Sequence, residues 1–314
     1  MAPNQNTKDG GADLHSVRNR GVDSLLEQLK ENGHAAVSSA TMKEWLNADL
    51  IPRGTNVDEL LPQFQLLWTE SLTQCSVEEL ETIYQHKKVF HSTYQLGQEG
   101  QLPTRLTENI VTDEQGILRQ KYIVHEKTST LGEATSYYIR SYPALPFKWD
   151  EDLLVRATQQ LFVDIFTESH QHWMGVQEPA GNTVFQFCYR TVMRRLAGDP
   201  GPEGVHVDGG TAAMILVVRR ENIKPLTGGT RIWSMQQKTG KPTAEDIESS
   251  KVLRTWKPKQ EFDALFFLDE RVMHEALRGE LLDTVEGGLR DMFIMDIRRK
   301  DRAWHGIVPV VKGE

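Results

Sequence analysis

The chain has 314 residues, 39% of them hydrophobic and 25% charged, with a net charge of −8 at pH 7. That length suits one large domain or two small ones and is enough to bury a proper core. The acidic balance excludes a general nucleic-acid binder, whose surface would be basic.

Residues 1–20, rich in Asn, Gly, Asp and Lys without an apolar period, are expected to form a flexible tail. VDSLLEQLKENG then places Val22, Leu25, Leu26 and Leu29 at helical spacing, with Gly33 as the stop. HAAVSS follows as a short strand. Further helices are predicted over 40–50 (ATMKEWLNADL), 57–72 (VDELLPQFQLLWTESL) and 76–90 (SVEELETIYQHKKVF). GILRQKYIVHEK and TSYYIRSY alternate as strands. The longest helical pattern covers 149–174, its first turn carrying Asp150, Glu151 and Asp152, where acids suit the helix dipole.

Beyond about residue 180 short β-rich runs follow in series: TVFQFCYRTVMRR, AAMILVVRR, TRIWSM, SKVLRTW, FDALFFLD, RVMHEALR and RDMFIMDIRR. Turn-forming clusters separate them and no helix of useful length intervenes, which disfavours a parallel βαβ sheet. The pattern predicts an antiparallel barrel or double-sheet jelly roll, with the helical first half packed on its outer face. Cys75 and Cys188 are too few for a disulfide framework and suit a reducing compartment. AAMILVV is far short of the roughly 20 apolar residues that span a bilayer. The polar N-terminus lacks a signal-peptide stretch. A cytoplasmic protein, bound to neither membrane nor nucleic acid, is expected.

The chemistry concentrates in PEGVHVDGG at 202–210. Alternate residues of an extended chain point the same way, so His206 and Asp208 can face one interior. A lone His-x-Asp is equally an acid capping the turn before Gly209 and Gly210. His274, on a later strand, adds a second imidazole. Two imidazoles and a carboxylate on one side of a metal leave three positions open, as in non-haem Fe(II) oxygenases. Arg290, at the start of the final strand, can point inward and grip a carboxylate bidentately.

His206-Val-Asp208, His274 and Arg290, in that order, resemble the Fe(II)/2-oxoglutarate-dependent dioxygenases of the double-stranded β-helix, or jelly-roll, fold. PEGVHVDGG, RRENI, GGTRIW, FLDERVMHEALRG and LRDMFIMDI resemble the branch of free-amino-acid hydroxylases such as isoleucine dioxygenase, a branch that extends to algal kainoid synthases. The likeness covers about 180–298, and the turn KPLT at 224–227 is longer than the family pattern. It implies a mainly β fold with α (α+β). Within a single catalytic domain over 21–314, a helix-rich wrapping part (21–175) would cover a jelly-roll core (176–314). It also implies Fe(II) held by His206, Asp208 and His274, 2-oxoglutarate bound through Arg290, and O2 as oxidant. The products would be succinate, CO2 and an oxidised small molecule, anionic and amino-acid-like.

Other contacts are assigned by strand parity. Gln186 and Arg190 share one face of TVFQFCYRTVMRR and either contact cosubstrate and substrate or face solvent. Thr230, after the double glycine, is a candidate cosubstrate contact. Trp233 is either a ligand platform or core. Arg220 is either surface charge or a group at the pocket mouth. His86, His91, His125, His170, His172 and His305 are assigned no role. Three readings remain open: hydroxylation, oxidative ring closure of an N-prenylated acidic amino acid, and a metal-binding barrel without turnover that holds Zn or Ni.

Overall fold

The computed structural model describes residues 22–73, 87–95, 103–107, 110–112, 118–126, 137–173, 183–194, 204–208, 210–285 and 288–299. The expected N-terminal tail lies outside them. Helix α1 (Val22–Asn32) buries Val22, Leu25 and Leu29 on one face, and Gly33 closes it by donating to the Leu29 carbonyl at 2.9 Å. Strand β1 (His34–Val37) leads into α2 (Ser39–Trp45), where the Ser38 hydroxyl accepts from the Thr41 amide. After a π turn over Leu46–Leu50 comes α3 (Val57–Thr73), which starts where the Asn56 side chain accepts from the Glu59 amide.

Five strands follow: β2 (Lys87–Gln95), β3 (Thr104–Arg105), β4 (Ile110–Thr112), β5 (Leu118–Glu126) and β6 (Tyr137–Pro143). The expected helix over 76–90 is therefore wrong at its end, where residues 87–90 extend and pair with a strand a hundred residues later. Residues 76–86 lie outside the described set. The helix-rich wrap is found in part, since strands occupy much of it. The long helix α4 (Leu153–Trp173) begins later than its acids suggest. Asp152 caps it, accepting from the Val155 amide at 2.9 Å, and Asp150 belongs to a preceding 3-10 turn.

The second half follows its alternation closely. Its elements are β7 (Thr183–Arg194), β8 (Ala212–Glu221), β9 (Thr230–Ser234), a short α5 (Ala244–Glu248), β10 (Val252–Trp256), β11 (Ala264–Phe267), β12 (Val272–Ala276) and β13 (Gly288–Arg299). Antiparallel pairing gives a seven-stranded sheet, β1-β11-β8-β13-β7-β2-β3, and three-stranded sheets β10-β9-β12 and β4-β5-β6.

Two apolar layers hold this together. Met214, Leu216 and Val218 of β8, with Phe293 and Met295 of β13, pack against Leu29, Phe64, Leu161 and Phe162 of the helices. On the other face Ala213, Ile215, Val217, Phe267 and Met292 meet Ile232, Trp256 and Val272 of the small sheet. AAMILVV is a continuous apolar run because its strand is buried on both faces. The architecture is mixed α/β with antiparallel sheets, consistent with a jelly-roll core. No helix among the described residues is long and apolar enough to cross a membrane.

Candidate active site

The inner face of the small sheet carries the site. Residues 204–208 are strung between two neighbours: Val205 exchanges backbone hydrogen bonds with Gly240 at 2.7 and 2.9 Å, and His206 does so with His274 at 2.9 Å each way. Such a directly opposed antiparallel pair puts both side chains on one side. The two imidazole centroids stand 4.3 Å apart. Asp208, two residues on, returns to the same side, with its carboxylate oxygens 3.5 Å from His206 Nε2 and 3.4 Å from His274 Nε2. One ligand atom from each of the three lies within 4.8 Å of the others.

The outer ring nitrogen of His206 is anchored, and that of His274 faces a buried acid. His206 Nδ1 lies 2.9 Å from the Gly204 carbonyl, which can only accept, so this nitrogen carries the proton and Nε2 presents a lone pair inward. Gly204 has φ 67°, and a Cβ there would collide with the Gly240 backbone. His274 Nδ1 faces Asp269 Oδ1 at 3.6 Å. Asp269, 3% exposed, also accepts from the Asp208 amide at 3.1 Å and the Gly210 amide at 3.0 Å. One buried carboxylate thus ties the His-x-Asp loop to the strand of the second histidine. Sequence reasoning missed it, although an acid ending the wholly apolar run ALFF was a visible signal.

Electrostatics mark the site as cation-seeking. Burial pushes the Asp208 carboxyl up, but the charge of His274 and the close approach of both imidazoles hold it well below the usual carboxylate range. Burial pulls His274 down, but Asp208 and Asp269 raise it to about 10. Here a proton occupies the position that a divalent cation would neutralise instead.

Arg290, half-buried, has the parity of Met292 in the inner cluster. Its guanidinium lies against Gly228: a Cβ built there would come 2.5 Å from Arg290 Nη1 and 3.2 Å from Gly279 Cα. Gly228 also has φ 68°. A glycine-lined cradle therefore holds the cation on the rim of the sheet that bears His274. The three ligands and this cradle fit Fe(II) with a bidentate acid beside it.

The sequence model of the 2OG-Fe dioxygenase family matches residues 91–296. The chain belongs to that family. It is an enzyme, a 2-oxoglutarate-dependent dioxygenase whose cofactors are Fe(II), 2-oxoglutarate and O2. Three solved structures share the dioxygenase's fold. A bsmA homologue from Methylobium petroleophilum is 15% identical, with 89% of this chain and 93% of that one covered and a TM-score of 0.61. The Fe(II)/α-ketoglutarate-dependent dioxygenase TqaL is 14% identical, with 92% and 91% covered and a TM-score of 0.60. IDO from Bacillus thuringiensis is 12% identical, with 89% and 95% covered and a TM-score of 0.54. No match was found among curated proteins.

Other expected residues fall differently. Thr230 pairs with Ala276 and Trp256 and shares the face of His274. Trp233 pairs with Met273, on the opposite face, and is fully buried with Val205. Its indole N–H donates to Glu275 at 3.3 Å, so it is core and not a ligand platform. Arg220 stands opposite Arg290, but its guanidinium donates to the Thr227 and Lys224 carbonyls. It braces the long KPLT turn that leads to Gly228 and is not held for a substrate. Gln186 and Arg190 lie in register with Asp296 and Met292, and their side chains lie outside the described residues.

Proposed function

We propose that the dioxygenase oxidises a C–H bond of a free amino acid or an amino-acid-derived small anion, with residues 21–314 acting as one catalytic domain. His206, Asp208 and His274 would hold Fe(II), and Arg290, together with Thr230 on the His274 face of the small sheet, would take the distal carboxylate of 2-oxoglutarate. Bound iron supplies O2 activation coupled to decarboxylation of the cosubstrate. The observation that carries the reading is the pairing of the three-ligand cluster with the guanidinium seated in the Gly228–Gly279 cradle.

The protein's contribution is placement and exclusion of water. The inward apolar residues Phe267, Val272, Met292 and Ile232 leave polar contact to the few groups at the strand ends. The Phe267 ring lies 4.9 Å from that of His274 and walls the metal site on the apolar side.

A substrate screen that follows succinate formation tests the proposal. His274→Ala should reduce substrate-dependent succinate to background while thermal unfolding shows a folded protein. Full activity in that variant would sink the reading. Hydroxylation and oxidative ring closure use the same residues, and product mass separates them: one oxygen gained against two hydrogens lost.

A further inference from the structure

Two basic side chains on the inner faces of edge strands take no part in the site described so far. Arg254 of β10 has the parity of Trp256, which is buried in the inner cluster. Register places Arg254 opposite Ile232, and Ile232 opposite His274. The three form one row across the small sheet, on the face that bears the metal ligand. At about 4.8 Å per strand, Arg254 and His274 are about 10 Å apart along that row, with Ile232 between them.

His34 of β1 has the parity of Ala36, which packs on the inner cluster, and stands opposite Phe267, the residue whose ring adjoins His274. His34 is only 7% exposed. Its Nδ1 lies 2.9 Å from the Asn32 carbonyl, an acceptor only, so Nδ1 carries the proton and Nε2 remains an acceptor. Burial lowers the proton affinity of His34, the Asn32 carbonyl partly restores it, and the charge of Arg254, on the edge strand β10, lowers it again.

Arg254 is half-buried and, among the described residues, makes no hydrogen bond or ion pair. A partly desolvated guanidinium without a carboxylate is costly unless a ligand completes it. Two other arginines of this half are matched within the protein: Arg231 with Glu275 at 3.0 Å, and Arg219 with Glu221.

We propose that Arg254 and His34 form the substrate's main-chain subsite. The Arg254 fork binds an α-carboxylate and His34 Nε2 accepts an N–H from the adjacent ammonium, which points the substrate side chain toward the metal. This rests on the proposed amino-acid reading of the same pocket. It gives the enzyme two carboxylate grips: Arg290 for the cosubstrate and Arg254 for the substrate.

The test uses the full chain, anaerobic, with Fe(II) and 2-oxoglutarate, whose chelate gives a weak visible charge-transfer band. The proteinogenic L-amino acids and N-alkylated glutamates are added singly, and perturbation of the band reports their arrival. For any acid that perturbs it, Arg254→Gln should raise the half-saturating concentration about a hundredfold, the scale of a lost charged bidentate contact. Arg254→Lys should recover part of this. The 2-oxoglutarate concentration that half-develops the band should not change in either variant. The carboxamide of the same amino acid should bind wild type and Arg254→Gln equally poorly.

Unchanged affinity of Arg254→Gln for the acid overturns the subsite, as does tight binding of the carboxamide to wild type. If the band forms and no acid perturbs it, the amino-acid class and the subsite fall together and the cofactor site stands. If no band forms in wild type, the oxygenase reading itself fails.

Discussion

The two faces of the seven-stranded sheet treat charge in opposite ways. On the helix-covered face the buried polar groups close on themselves. Arg105 donates to Asp150 at 2.7 Å, to the Tyr94 hydroxyl at 3.0 Å and to the Leu145 carbonyl, while Tyr94 donates to Asp150 at 2.6 Å. Burial and Asp150 push the Tyr94 phenol far up, so it remains a permanent donor. On the inner side, the facing small sheet sets an aspartate between two imidazoles, and β13 seats the Arg290 guanidinium in a glycine cradle. The same strand, β8, serves both: Met214, Leu216 and Val218 turn to the helices, and Ala213, Ile215 and Val217 to the interior. A closed network holds a fold, and ligand atoms gathered within 4.8 Å of one another can share a cation.

The largest expected effect comes from opening the closed side. Arg105→Met leaves the half-buried Asp150 and the buried Tyr94 without their cation. Removing one partner of a buried pair costs about 3–5 kcal/mol, discounted here to about 2–4 kcal/mol because the Asp150 side chain is 30% exposed. Urea unfolding should show that loss, while the folded protein binds Fe(II) as before. A matching fall in metal affinity would mean that the two faces do not act separately.

On the inner side, Asp269→Asn preserves volume but removes charge and turns an amide N–H2 toward backbone donors. The Asp208 and Gly210 amides then compete for one acceptor and His274 loses its facing carboxylate. Groups that orient metal ligands are typically worth 10–100-fold in metal affinity. Equilibrium titration with Fe(II) should show a loss in that range, and a neutral result would confine Asp269 to structural support of the loop.

What the sequence made legible follows the range of each interaction. The strands of the second half show because alternation is local, and AAMILVV shows because both its faces are buried. His206 and Asp208 were singled out by a two-residue spacing, and His274 and Arg290 by their strands; the structure gathers the first three into one cluster. Residues 87–90 were misread because their helical pattern runs on unbroken from 76, while the pairing that overrides it, Val89 with Arg190, is distant. Asp269 was missed because the amides it holds lie 59 and 61 residues away. Trp233 was uncertain because its face is set by register with Met273. Arg254 escaped notice because a register shift between Val252 and Arg254 decides which way it points.

The smallest expected effect is also the most local. Gly228→Ala adds one methyl group that would stand 2.5 Å from Arg290 Nη1, at a backbone φ of 68°. The guanidinium is the far end of a flexible side chain and can give way, so strain at the positive φ costs only about 1 kcal/mol and the protein stays folded. The displaced fork loses about one good hydrogen bond to its carboxylate, which raises the half-saturating 2-oxoglutarate concentration about tenfold. Iron affinity, set by residues of the small sheet and the strand segment bridged to it, should not move. The substitution therefore separates the cradle from the three-ligand cluster: a variant that lost both iron and 2-oxoglutarate binding would show the two to be one cooperative unit.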